Sequence, residues 1–372
     1  MNERTVSLKH KGRIGQTGIY LGKMFRMFIY QSDWKVIPMA GVITAIVSIV
    51  IAKSMNITME GTVRGGFALS CICIWNGFFN SIQSVCRERA IVKREHRSGM
   101  HITSYIAAHM IYQAFLCLLQ VGAVIAVLNA MKVTFPQAGV VFGDPRIDMG
   151  VTLFFVTFAA DMISLFVSCI VHNPTTAMTI VPFLLIFQLI FAGTFFNLPK
   201  KISFLKDFTI SNYGICALCS QGRFNELKMT TVWKTLEKME GLEVDPENLK
   251  KAIRECINGE TSDPEQAKET VKDVAEKIAD KAAEAAPVMS DAAIDEITEM
   301  AGSKPIKFLL DSIEESNEKD EFQLLCGKQG YNKAYESKPD NVINCWITLI
   351  LDGLLFAGLS VIALEFIDKD KR

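Results

Sequence analysis

The chain predicts an all-α polytopic membrane protein, with six transmembrane helices and a mainly helical external domain between the fifth and sixth. Three observations lead there. Half of its 372 residues are hydrophobic and the mean hydropathy is +0.24, yet 21% are charged, so apolar and charged sequence must be segregated rather than mixed. Six apolar stretches approach the roughly 20 residues that a helix needs to cross a hydrocarbon core of ~30 Å. Between two of them sits the run Cys86-Arg87-Glu88-Arg89-Ala90-Ile91-Val92-Lys93-Arg94-Glu95-His96-Arg97-Ser98-Gly99-Met100, a short basic connection of the kind retained on the cytoplasmic side.

Residues 1–35 are basic and interleave Tyr20, Phe25, Phe28, Tyr30 and Trp34 with Lys23, Arg26 and Lys35, which suits an amphipathic connecting helix at the cytoplasmic membrane surface. The first apolar run starts near Val36, has no convincing cleavage site and is followed by further spans, so it reads as a span rather than a signal peptide. The spans fall at 36–52, 65–85, 105–131, 149–171, 177–196 and 342–366. With the N-terminus inside, the loop at 86–104, the loop starting at His172 and the tail at 368–372 are cytoplasmic. The loops around Met55 and Phe135, and the segment 197–341, are then external. The Lys/Arg distribution agrees: five in the first internal loop and seven in residues 1–35, against two in each short external loop (Lys53 and Arg64; Lys132 and Arg146). A multi-pass protein of the plasma membrane with both termini in the cytoplasm is expected.

The long segment 197–341 reads as a re-entrant part followed by a soluble, mainly helical domain. Ser262-Asp263-Pro264-Glu265-Gln266 is a helix start, with a capping side chain and Pro in the first turn. Val271, Val274 and Ile278 recur at helical spacing, as do Ile294, Ile297 and Met300 after Pro287, and Ile306, Leu309, Leu310 and Ile313 after Pro305. Residues 241–300 carry 16 acidic and seven basic side chains, so the net charge of −1 hides an acidic insertion and a basic remainder. Cys71, Cys73, Cys117, Cys169 and Cys345 lie in or beside apolar stretches and read as packing residues. A disulfide such as Cys256 with Cys326 is open to the insertion if it lies outside.

Motifs for chemistry are missing. There is no G-x-x-x-x-G-K-[ST], and Gly12, Gly15 and Gly18 lack both the Lys and the preceding strand. There is no H-E-x-x-H, no nucleophile elbow and no cluster among the five His, so no catalytic residue and no metal site is expected. The basic residues flank membrane spans, which accounts for them without a nucleic-acid partner.

Polar groups at bilayer depth must find partners or face water. Asp161 and Asp352 stand out, with Asn76, Asn80, Gln113, Gln120 and Gln188 as milder cases. Bonds between helices explain them more simply than a proton relay, since no chain of His and acids is evident in the sequence; an intramembrane enzyme would rest on the two Asp alone. Phe183, Phe187, Phe191 and Phe195 recur every four residues with Gln188 alongside, and the second span offers Phe67, Asn76, Phe78 and Phe79. Such stripes serve helix packing or lipid contact, and Pro182 can kink the fifth span.

Glu88-Arg89-Ala90, Arg94-Glu95, Gly99-Met100 and Tyr105 together resemble the loop between the second and third spans of ABC-2 type (ABCG-like) transporter membrane domains. Phe191-Ala192-Gly193-Thr194-Phe195-Phe196-Asn197-Leu198-Pro199 and Phe208-Thr209-Ile210-Ser211-Asn212-Tyr213-Gly214 are similar to that family's fifth-span exit and short re-entrant element. His101 stands where the family commonly has Tyr, and the insertion is longer than the family's external loop. The resemblance implies the permease subunit of an ATP-driven exporter. It would work as a homodimer by alternating access, in a lipid bilayer, with ATPase domains as partners. ATP and Mg would be cofactors of that ATPase and not of this chain. The family commonly fuses its ATPase before the spans; residues 1–35 leave no room for one, so it is expected on a separate chain or elsewhere in a larger design. By the same resemblance Glu88, Arg89, Arg94 and Glu95 would couple to the ATPase, where the plainer reading is that they anchor the loop. Asn76, Phe79, Phe183, Phe187, Gln188 and Phe191 would line the cavity. The alternative is a membrane-anchored signalling or scaffold protein displaying the external helical domain.

Overall fold

A side-chain cap or a first-turn proline marks four of the ten described helix starts. In a computed structural model, which describes residues 12–30, 33–193, 199, 201–230, 234 and 319–366, the α-helices are α1 (Arg13–Tyr30), α2 (Val36–Ile51), α3 (Met59–Ser81), α4 (Ser84–Arg97), α5 (Ile102–Ala130), α6 (Pro145–Ile170), α7 (Pro174–Ile190), α8 (Ile210–Gln221), α9 (Lys319–Gln329) and α10 (Pro339–Glu365). Thr58 caps α3 by accepting from the Gly61 amide at 3.1 Å, and Asp144 caps α6 by accepting from the Arg146 amide at 2.8 Å. Pro145, Pro174 and Pro339 occupy first-turn positions, where a missing N–H costs nothing. No strand occurs among the described residues, as the all-α prediction requires.

Four helical stretches are long and apolar enough to cross a membrane: Met59–Arg97, which joins α3 to α4, then Ile102–Ala130, Pro145–Ile170 and Pro339–Glu365. The helices at the expected first and fifth spans, α2 and α7, are apolar but shorter, with 16 and 17 residues. At 1.5 Å per residue they extend about 24–26 Å.

The chain divides into two units, residues 1–227 with 330–372, and residues 228–329. In the first, α6 is the central element: α3 and α10 make the largest contacts with it, and α8 packs on α3, α6 and α10. Close approach is built into the sequence. A Cβ on Gly77 of α3 would lie 2.4 Å from the Thr157 carbonyl oxygen and 2.7 Å from Ala160 Cβ, so the two backbones nearly touch. Ser164 donates to the Phe78 carbonyl at 2.6 Å across the same contact. On α10, Val342, Cys345, Leu349, Gly353, Ala357, Ser360 and Leu364 face inward at helical spacing, while Ile343, Ile347, Leu351, Leu355 and Ile362 are exposed. Towards the N-terminal ends of α6 and α10 a polar knot closes the bundle: the Gln221 amide of α8 donates to the Asp148 carbonyl and Thr152 Oγ1, and Trp346 Nε1 also donates to Thr152 Oγ1 at 2.8 Å.

A second group of contacts surrounds α5, on which α1 and α2 pack. Tyr20 meets Tyr105 edge-on at 5.4 Å and Phe25 meets Tyr112 at 5.8 Å, so the aromatic face of α1 read from the sequence as membrane-facing lies largely against protein. Tyr30 and Trp34 remain exposed.

Asn225 pins the two ends of the insertion together, bonding the Asn332 amide at 2.9 Å and its carbonyl at 3.0 Å. Within the second unit the described part is small: α9, with Lys228 Nζ 2.7 Å from Asp320 and the Met229 amide bonded to the Gln323 carbonyl. The helix starts expected from Ser262 to Ile313, Cys256, Phe195 and the tail 368–372 lie outside the described residues. Cys326 carries no disulfide, and Cys216 and Cys219 belong to α8 in the first unit.

Candidate coupling surface

The charged run folds as α4, a helix of 14 residues with two opposed faces. Its start has no side-chain cap of its own. Instead, Ser168 of α6 accepts from the Val85 and Cys86 amides at 3.1 and 3.2 Å, meeting two of the N–H groups that a helix start leaves open. Its end is a glycine stop: Gly99 adopts φ +98°, the Met100 amide returns to the Glu95 carbonyl at 3.1 Å, and Met100 buries against the core around α5.

Three of the four sequence-predicted coupling residues point inward. Arg89 Nη1 donates to the Cys169 carbonyl at 2.6 Å, placing a cation on the C-terminal end of α6 where its dipole is negative. Glu88 pairs with Lys23 of α1 at 2.7 Å, and Glu95 accepts from the Tyr20 hydroxyl at 2.8 Å. Burial, and then that carboxylate, push the Tyr20 phenol above its ordinary value. Gln16 completes the α1 contact: its carbonyl oxygen accepts from the His101 amide at 2.9 Å and its amide donates to the Gly99 carbonyl. Thus α1, α4 and α6 are tied by charge-assisted bonds.

Arg94, the fourth, is exposed. With Arg87, Ala90, Ile91, Arg97 and Ser98 it forms a stripe at the three- and four-residue spacing of one helix face. Arg87 and Arg97 count in the sequence only as basic residues of a cytoplasmic loop, and Ile91 is not singled out there. Setting the run at 100° per residue and subtracting the positions of Val85, Cys86 and Val92 finds them.

The six predicted cavity residues are split. Asn76 is buried in α3, while Phe79 is exposed and stacks on Trp75 at 4.8 Å. On α7 Phe183 is exposed, and Phe187 and Phe191 lie 4.9 Å apart. Gln188 turns inward, its Oε1 accepting from the Ser211 amide of α8 at 3.4 Å, while its backbone carbonyl accepts from the Ser211 hydroxyl. Trp75, Phe79, Phe183, Ile186 and Ile190 therefore form uncovered apolar surface on α3 and α7.

The family pattern of the ABC-2 type transporter matches residues 20–218, from mid-α1 into α8. This chain belongs to that family. No curated protein matches it. As an ABC-2 type membrane domain the chain is an integral membrane permease component of an ABC transporter and not its catalytic domain. The matched region contains α4 and the helices that hold it, and excludes the insertion and α10.

Proposed function

We propose that this ABC-2 permease takes up the work of a partner ATPase through the exposed stripe of α4 and passes it to the bundle through α1 and α6. The observation that carries this reading is the division of α4: Glu88, Arg89 and Glu95 fasten it inside, and Arg87, Ile91 and Arg94 remain on the outside. A helix fixed on one face and basic on the other moves as a lever when an acidic partner surface presses on it. Six spans, with α2 and α7 as the short ones, put both ends of the bundle's chain in the cytoplasm and the insertion outside; the Lys/Arg distribution supports that orientation. The uncovered aromatic face of α3 and α7 favours a homodimer with the transport path at its two-fold, switching between membrane faces with ATP and Mg on the ATPase. An external insertion suits export.

The test pairs variants of the two faces in the assembled transporter. R87E/R94E should abolish stimulation of the cognate ATPase by the permease while leaving the permease folded. E88Q should act by loosening α4 from α1, lowering thermal stability as well as coupling. Unchanged ATPase coupling in R87E/R94E would overturn the proposal.

A further inference from the structure

Between α1, the α3–α4 junction and α5 lies a cavity of about 500 Å³. Lys23, Arg87 and Glu88 stand at its polar end, and Gln113 and Leu116 lie farther along α5. Three side chains that line or wall it hold buried polar atoms without a protein partner: the Tyr105 hydroxyl, both ring nitrogens of His109, and Gln113 Oε1. All three residues are at least nine-tenths buried: Tyr105 is 1% exposed, His109 6% and Gln113 1%. Buried polar groups without protein partners, around a space with room for on the order of ten waters, are what hydrates a cavity.

The other end of Gln113 leads to a carboxyl group. Its Nε2 donates to Ser81 Oγ at 2.8 Å, and the Ser81 hydroxyl donates to Asp161 Oδ1. Cys117 Sγ donates to Oδ2 at 3.6 Å, and Asn80, paired with Gln120 by two bonds of 2.9 Å, adjoins the same carboxyl. Asp161 is fully buried. The groups presented to it by α3 are Ser81 and Asn80, with Cys73 further along, and by α5 they are Cys117 and Gln113, with His109 one turn on. Helix α7 has no charged residue, and on α4 Arg89 is committed to the Cys169 carbonyl. Asp352 of α10 lies within electrostatic range of Tyr213 of α8. Among the described residues no cation neutralises Asp161, and an ionised carboxylate at that depth costs several kcal/mol unless it is paired.

We propose that Asp161 is a proton-binding site, served by solvent that enters through the His109–Gln113 cavity. A water passing Gln113 carries the proton from cavity hydronium to Ser81; the Ser81 hydroxyl hands its own proton to the Asp161 carboxylate oxygen it is bonded to and takes the incoming one in its place, so hydronium becomes water, the Ser81 O–H is re-formed and the carboxylate charge is cancelled. Gln113 is the last side chain between cavity water and the Ser81–Asp161 pair, and so sets the rate of exchange. Neutral Asp161 lets α3, α5 and α6 stay closed around it. The ionised form lacks a countercharge there and favours separation of α3 and α5 from α6, which links the packing of the bundle to proton availability on the side of α4. This inference is independent of the transport reading and is read out without ATPase or substrate.

The experiment is infrared spectroscopy of the full-length chain in phosphatidylcholine nanodiscs, taking the difference between wild type and D161N. Asn is neutral and keeps an acceptor for Ser81, so the fold is retained. The expected result is a carboxylic-acid C=O band in mildly acidic buffer, lost reversibly in alkaline buffer and shifted in D2O as soon as the solvents mix. Q113L should slow that isotope shift several-fold without removing the band. S81A, which leaves Asp161 in place, should move the band frequency, assigning it even if D161N does not fold. Absence of any Asp161-dependent band at every pH, or a band indifferent to both pH and D2O, would overturn the proposal.

Discussion

Helices α6 and α7 follow one another through a three-residue link and are both apolar, yet they relate to the protein in opposite ways. Helix α6 buries most of its length, Ala159, Ala160, Asp161, Ser164 and Ser168 among its contacts. Helix α7 buries only Ala177, Val181, Leu185 and Gln188 and presents Phe183, Ile186 and Ile190 outward. In lipid, apolar surface gains little by leaving the solvent for another helix, so hydropathy marks a span without saying what it packs against. Small residues and hydroxyls decide. They let α6 come within contact of the α3 backbone and supply Ser164 and Ser168 as bonds to its neighbours, whereas the large side chains of α7 keep it peripheral.

The largest expected effect breaks α6 away from its neighbour. G77V places branched carbon where Thr157 and Ala160 already stand, and should destabilise the bundle by about 3 kcal/mol in a detergent-titration unfolding assay. G122V, on α5 with open space around it, is the control and should cost less than 1 kcal/mol. Equal losses would mean that close α3–α6 approach is not what holds the bundle.

Next in size is the bond that ties α4 to the end of α6. R89A removes a charged donor from the Cys169 carbonyl and should cost about 2 kcal/mol. R94A, five residues on and exposed, should leave stability within about 0.5 kcal/mol and lower only ATPase coupling. If R89A were as stable as R94A, the inward and outward faces of α4 would not be functionally distinct.

The same contrast explains what was legible in advance. The charged connection and the spans at α3, α5, α6 and α10 follow from charge and apolar length, and the structure has them close to the expected positions; the structure adds that the connection folds as helix α4 with a stop at Gly99. The partners of Glu88, Arg89 and Glu95 were not legible, because they come from residues 65 to 80 positions away, across contacts that no local pattern encodes. Asp161 was visible as an acid in an apolar stretch, but its surroundings were not. The sequence shows no chain of polar groups, since Gln113, Ser81 and Asp161 lie on three helices and meet only in the folded bundle. Gln188 was read with the phenylalanines beside it, and its side chain is turned away from them to accept from the Ser211 amide.

A smaller effect is expected at the polar knot. W346F keeps the ring and removes the N–H that Thr152 accepts at 2.8 Å, a loss of about 1 kcal/mol. It tests whether α10, exposed along one side, is held to α6 by this bond as well as by Gly353 and Ala357. T152V should cost more than W346F, because it takes the acceptor from both Trp346 and Gln221 and leaves the Trp346 N–H unpaired, and W346F should add little on top of it.

The smallest effect on stability, and the sharpest test of the comparison, belongs to α7. Phe183 is 72% exposed and neighbours uncovered Ile186, so F183A removes a side chain that rests on lipid or on a second copy and not on the core. Its unfolding midpoint should stay within about 0.5 kcal/mol of wild type. If α7 forms the dimer face with Trp75 and Phe79 of α3, F183A combined with F79A should weaken self-association in crosslinking of native membranes while each monomer stays folded. A loss of stability comparable to G77V would show instead that α7 is part of the core, and the distinction between helices that pack by small residues and helices that wait for a partner would fail for this permease.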